Sequence, residues 1–208
     1  MIHQPIPDCF KHCRLISIDI ETTGLSVLYN TIIEIGCVEV NNSKIVKFGN
    51  KEGFTRMFSG GHSSMYLVRK VHHIKDSDRS SKKYSTFKQS AEKISKYLSN
   101  SILVTHNGNS FDIPMIQQKL TEAGFPLHDF KSIDTLQLVR KMRKKEDGKD
   151  EDEKRQHGRN TLGNLCKEFG LVYGGDEGRN AHRGLEDAEA CLDLLFYLVN
   201  NSKVEISI

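Results

Sequence analysis

The chain has 208 residues, of which 37% are hydrophobic and 27% charged, so it has the size of one medium domain with a core large enough to do without disulfide staples. A formal net charge of +3 allows a polyanionic partner without demanding one. Five scattered cysteines, Cys9, Cys13, Cys37, Cys166 and Cys191, exclude a disulfide framework and a paired zinc knuckle and point to a reducing compartment. No run approaches the ~20 apolar residues of a membrane span, and Met1 to Lys11 lacks a secretory apolar core. The expected setting is therefore intracellular, cytoplasm or nucleus, away from membranes.

In chain order, Leu15 to Ile20 is almost wholly apolar and leads into an acidic pair, the pattern of a strand buried on both faces with functional groups at its tip. Ile32 to Val40 and Lys44 to Phe48, divided by Asn41-Asn42-Ser43, read as strands joined by a short turn. Phe87, Ala91, Ile94 and Leu98 recur at helical spacing within Ser85 to Leu98, and Ile102 to Thr105 follows as a short buried strand, which implies a helical crossover onto a sheet. Ser110 is the expected N-cap of a helix that runs to about Glu122 and stops at Gly124 and Pro126. Asp112 then lies in its first turn, where the helix dipole favours a carboxylate.

Phe130 to Ile133 reads as another strand and Thr135 to Arg143 as a helix. Lys141 to Arg159 is densely charged and nearly free of apolar residues, which predicts an exposed, mobile loop within a single domain. The last helix is expected over Leu185 to Val199, with Ala188, Cys191, Leu192, Leu195 and Val199 as its apolar stripe. The alternation of strands and helices predicts a single α/β domain of three layers over residues 1 to 208.

The chemistry-bearing residues fall in three separated segments: Asp19 and Glu21, then Asp112, then His182 with Asp187. Four carboxylates that converge resist ionisation unless a cation stands between them, and hard divalent ions such as magnesium are the natural guests. A histidine beside them is the side chain suited to take a proton from water near neutral pH. The set suggests a two-metal phosphodiesterase. Asp19 and Glu21 are two apart on an extended segment, so both side chains face one side. The turn Thr22-Thr23-Gly24-Leu25 offers amide and hydroxyl groups to a terminal sugar, and Leu25 a wedge against a base. On one helix His182 and Asp187 would stand about 140° apart. His182 is therefore expected ahead of the helix, in the Asn180-Ala-His lead-in. Asp187, pressed toward the core, needs a partner, which a metal shared with Asp19 or a salt bridge would supply. Lys82-Lys83 and Arg140 to Lys145 are either phosphate contacts or solvated surface.

In this order the segments resemble the DEDDh exonucleases, the DnaQ-like 3′ to 5′ family. Asp19-Ile-Glu-Thr-Thr-Gly-Leu25 and Ile32-Ile-Glu-Ile-Gly36 are similar to the ε proofreading subunit, as is Thr161-Leu-Gly-Asn-Leu-Cys166. His106-Asn-Gly-Asn-Ser-Phe-Asp112 and Ser132-Ile-Asp-Thr-Leu136 are similar to the three-prime repair exonucleases. The tyrosine-bearing sibling group would place tyrosine where this chain has Arg183, so the histidine type is indicated. The resemblance spans about residues 13 to 199, the core of the domain, and implies an RNase H-like fold with a central mixed sheet flanked by helices. It implies two Mg²⁺ ions, replaceable by Mn²⁺, on Asp19, Glu21, Asp112 and Asp187, with His182 as general base. It further implies substrate contacts by Thr22, Thr23, Gly24, Leu25, His106 and Asn107, and release of nucleoside 5′-monophosphates from single-stranded DNA or the 3′ ends of duplex DNA. RNA is the alternative substrate, and a homodimer or a polymerase the implied assembly. A non-catalytic nucleic-acid-binding module and a metal-free structural protein are the competing readings.

Overall fold

The strand that opens the sheet separates two cores by simple alternation. In the computed structural model, which describes residues 1–126, 129–147, 158–174 and 183–206, β1 spans Arg14–Thr22. Its Ile16, Ile18 and Ile20 enter one core, while Leu15 enters the other and Ser17 Oγ donates to the Ala188 carbonyl at 2.7 Å. Asp19 and Glu21 continue the second series. β2 (Ile32–Asn41) pairs antiparallel with β1 along its length and carries β3 (Lys44–Ile45) and β4 (Gly53–Met57) at its far edge. On the other side of β1 run β5 (Ile102–Thr105) and then β6 (Lys131–Asp134), both parallel. The six strands thus form one mixed sheet in the order β3-β2-β1-β5-β6, with β4 also on β2.

Helices cover both faces, as the isoleucine-rich strands require. α2 (Phe87–Leu98) and α3 (Asp112–Glu122) bury Phe87, Ala91, Leu98, Met115, Ile116 and Leu120 against Ile16, Ile18 and Ile20. α4 (Thr135–Asp147), α5 (Leu162–Phe169) and α6 (Gly184–Asn200) share the opposite core with Leu15, Val38, Val40 and Val104. α1 (Tyr66–His72) lies outside these layers, with His72 its one buried residue and Tyr66, Leu67 and Val71 exposed.

Several boundaries depart from expectation. Ser110 does not cap α3: Phe111 occupies that place without a side-chain bond, and the helix starts at Asp112. α2 starts at Phe87, capped reciprocally by Thr86 and Gln89. The stretch from Lys141 to Arg159 is not loop throughout, because α4 continues to Asp147. Met142 reaches the core and the buried Arg143 meets Glu168 at 2.6 Å, so an apolar anchor and a paired guanidinium extend the helix into a charged sequence. Arg143 is thereby withdrawn from the set of phosphate contacts. The middle of that stretch, 148–157, lies outside the described residues. Among the described residues, no helix is long and apolar enough to cross a membrane.

Candidate active site

Asp19 and Glu21 leave β1 toward α6, and Asp187 stands in the first turn of α6 facing them. One carboxylate oxygen from each of the three lies within 4.8 Å of the others. The close fit of helix to strand depends on two glycines. Gly36 is the β2 residue opposite Asp19, and a side chain there would collide with the backbone of Gly184 and Leu185. A Cβ on Gly184 would in turn sit 2.7 Å from the Gly36 nitrogen. Only bare backbone lets the α6 N-terminus descend far enough for Asp187 to reach Asp19.

Asp112 approaches from the other side of β1. Its Oδ1 accepts the Ile20 amide at 3.2 Å, at a level where β5 no longer pairs with β1. The loop leading to it is tied down by the buried Asp134, which accepts the amides of Asn107 at 3.0 Å and Asn109 at 3.2 Å, and of Leu136 at 3.0 Å. His106 is committed within the fold: its ring nitrogens are 2.9 Å from Thr135 Oγ1 and 2.9 Å from the Asn160 carbonyl. Burial holds that ring below the ordinary histidine value. In the turn after Glu21, Thr22 Oγ1 donates to the Gly24 carbonyl and Thr23 Oγ1 accepts the Thr31 amide, while Leu25 is 71% exposed. Met65 donates its amide to the Thr23 carbonyl and is itself exposed, so the turn presents two apolar side chains beside the acids.

The fully buried Glu34, one of the residues that sequence reasoning did not single out, lies opposite Glu21 in the β1–β2 register. Its oxygens accept from Arg183 Nε at 3.1 Å and Nη2 at 2.7 Å, and from the Gly184 amide at 3.0 Å. Tyr173 is another, hydrogen-bonded to Asp187 and pushed up by burial and that carboxylate. A charge between Ile33 and Ile35, inside an apolar run read as a strand, was the available signal for Glu34. Asp134, at the end of a strand, gave no such sign.

The electrostatics match the crowding. Burial, then Asp112, Asp187 and Glu21, hold Asp19 well above the usual carboxylate range. Burial, then Asp187 and Glu34, push Glu21 up to about 9. Burial pushes Asp112 up to about 7 against the opposing hydrogen bond from Ile20. Clustered oxygen donors whose negative charge is mutually unfavourable are the donor set of a hard divalent cation, so these residues fit the ion their motif implies. His182 falls in the segment 175–182, outside the described residues. His72, the histidine beneath the turn, is buried and accepts the Ile74 amide at Nδ1.

Comparison with known proteins places this geometry. The RNase T family model, described as "Exonuclease", matches residues 16–195. The PolC-type DNA polymerase III of Listeria welshimeri is 28% identical over 186 residues, covering 89% of this chain, and that of Mycoplasma genitalium 25% over 204 residues, covering 98%. The chain spans only 11% and 12% of those relatives. In fold it is similar to an E. coli ExoI–ssDNA complex in its zinc-bound form, with TM-score 0.74 at 14% identity over 91% of this chain and 41% of that one. It is also similar to exonuclease X in complex with 5′ overhanging duplex DNA, with TM-score 0.63 at 22% identity over 92% and 94% of the two chains. The three-layer, RNase H-like arrangement is thus the observed fold. A family match over most of the chain, on the strands and helices that bring the acids together, shows that the chain belongs to the RNase T exonuclease family, the DnaQ-like group that its motifs resemble.

Proposed function

We propose that the chain is a divalent-metal-dependent 3′ to 5′ exonuclease that releases nucleoside 5′-monophosphates from DNA 3′ ends. The observation that carries this reading is the convergence of Asp19, Glu21 and Asp187 within 4.8 Å, with Asp112 against the same strand. Asp19, Glu21 and Asp187 would hold Mg²⁺ or Mn²⁺, with Asp112 supporting a second ion. When bound, such ions polarise the phosphodiester and neutralise charge on the leaving 3′ oxygen. The chain's own residues do the rest. His182 takes the proton of the attacking water at its imidazole. The backbone of the Thr22 to Leu25 turn grips the terminal sugar, and exposed Leu25 meets the last base. His106 and Asn107 act by shaping the loop that delivers Asp112.

DNA is favoured over RNA because the PolC-type relatives are named as DNA polymerases and the solved neighbours were captured on DNA. The same relatives favour a polymerase partner over a homodimer, in an intracellular setting. Digestion of matched 5′-labelled DNA and RNA single strands, with Mg²⁺ and with chelator, tests the reading. A metal-dependent ladder that shortens from the 3′ end of DNA is expected from the wild type and not from Asp19→Ala. His182→Ala should lose about 10²–10⁴-fold in turnover while still binding metal and DNA. A ladder on RNA alone would reassign the substrate, and binding without cleavage would leave a non-catalytic module.

A further inference from the structure

Glu34 has no exposed surface, yet it stands beside the most acid-crowded point of the fold, opposite Glu21, whose carboxyl it helps to push up. A buried ion pair is a weak source of stability, since desolvation offsets most of the attraction. What Glu34 does have is reach. It takes two parallel bonds from Arg183, the bidentate geometry that fixes a guanidinium in one orientation, and a third from the Gly184 amide at the start of α6. Arg183 is the residue ahead of α6, and its carbonyl accepts the Asp187 amide at 3.0 Å. An unbroken set of bonds therefore runs from Glu34 on β2, through Arg183, to the backbone of the acid that completes the cluster.

We propose that Glu34 and Arg183 form a latch that positions Asp187, Glu34 acting from behind the site and Arg183 as the clamp. Without the latch, the start of α6 keeps the Gly36 packing, the Ser17 bond to the Ala188 carbonyl and the Tyr173 bond to Asp187, but loses the clamp on β2 that fixes Asp187 against Asp19 and Glu21. The catalytic value of the latch rests on the exonuclease reading, but the hold on Asp187 is measurable through metal binding without it.

Arg183→Met is the primary test, because the Arg183 side chain is 40% exposed and its removal leaves the core filled. Mn²⁺ affinity by calorimetry is expected to fall roughly 10- to 100-fold, the usual effect of losing a group that orients a metal ligand. Turnover on single-stranded DNA should fall with it at nearly unchanged KM. The metal-free melting temperature should also fall, because Glu34 is left buried without its guanidinium, so affinity is measured well below that temperature, where the variant is folded. Arg183→Lys should recover only a minor part, since an ammonium group cannot make the forked contact. Glu34→Gln, which keeps the acceptor for the Gly184 amide and drops the charge, should fall between wild type and Arg183→Met. Unchanged Mn²⁺ affinity in folded Arg183→Met, or full recovery by lysine, would overturn the latch. If the wild type cleaves no nucleic acid the exonuclease reading fails, and the Mn²⁺ measurement still decides whether the latch exists.

Discussion

Asp19 is both the centre of the acidic cluster and the residue most strained by it. With burial first, and then Asp112, Asp187 and Glu21, all raising its pKa, the carboxylate is a local cost that the metal-free fold has to bear. Asp19→Asn keeps the shape and removes the charge. The metal-free variant should melt on the order of a few °C above the metal-free wild type, and the rise produced by saturating Mg²⁺ should be lost. Scanning calorimetry with and without chelator checks both; a variant less stable than wild type without metal would mean that Asp19 is held by a partner and not crowded. At this scale the sequence was informative where chemistry depends on residue type and local spacing. The two-residue step from Asp19 to Glu21 and the helical position of Asp187 identified side chains that share a face. Glu34 escaped because its partners, Arg183 and Gly184, meet it only through strand register and a helix that closes back on β2.

Among the elements, the junction of α6 with β2 is the most restrictive. Replacing Gly36 by alanine puts a methyl into the Gly184 backbone, where no side chain can rotate away. Overpacking costs ~1–3 kcal/mol, and contact with backbone belongs at the upper end. For a domain of this size that is a drop of roughly 6–12 °C in melting temperature, together with weakened Mn²⁺ binding because Asp187 is pushed back. A melting curve matching the wild type would show that α6 can retreat without loss. The elements legible in the sequence were those with strong periodicity: β1, β2, α2, α3 and α6 fall within a few residues of expectation. α1 was missed because it has no buried stripe to create a period, and α4 was ended at Arg143 because the charged residues that follow offer no apolar period.

For the whole molecule the raised carboxylates set a pH dependence. Unfolded Asp and Glu titrate near ~4, whereas in the fold Asp112 titrates at about 7 and Glu21 at about 9. Between those values the native state binds more protons than the unfolded state, so stability falls as pH rises. Each group's contribution is complete below ~4 and is lost as pH passes through about 7 and about 9 respectively. In chelator, the melting temperature should decline from about pH 6 to about pH 9. Saturating Mg²⁺ should flatten that decline, because a cation keeps the carboxylates ionised and releases their protons. Parallel slopes in the two conditions would show that no cation reaches these acids. The pairing of β1 with the later β5, and the return of α6 onto β1, also give the cluster a place in time. Synthesis proceeds from the N-terminus, and domains complete their long-range contacts last. A nascent chain has Asp19 and Glu21 long before it has Asp187, so any cutting that depends on all three acids is withheld until α6 has been made and folded back onto β1.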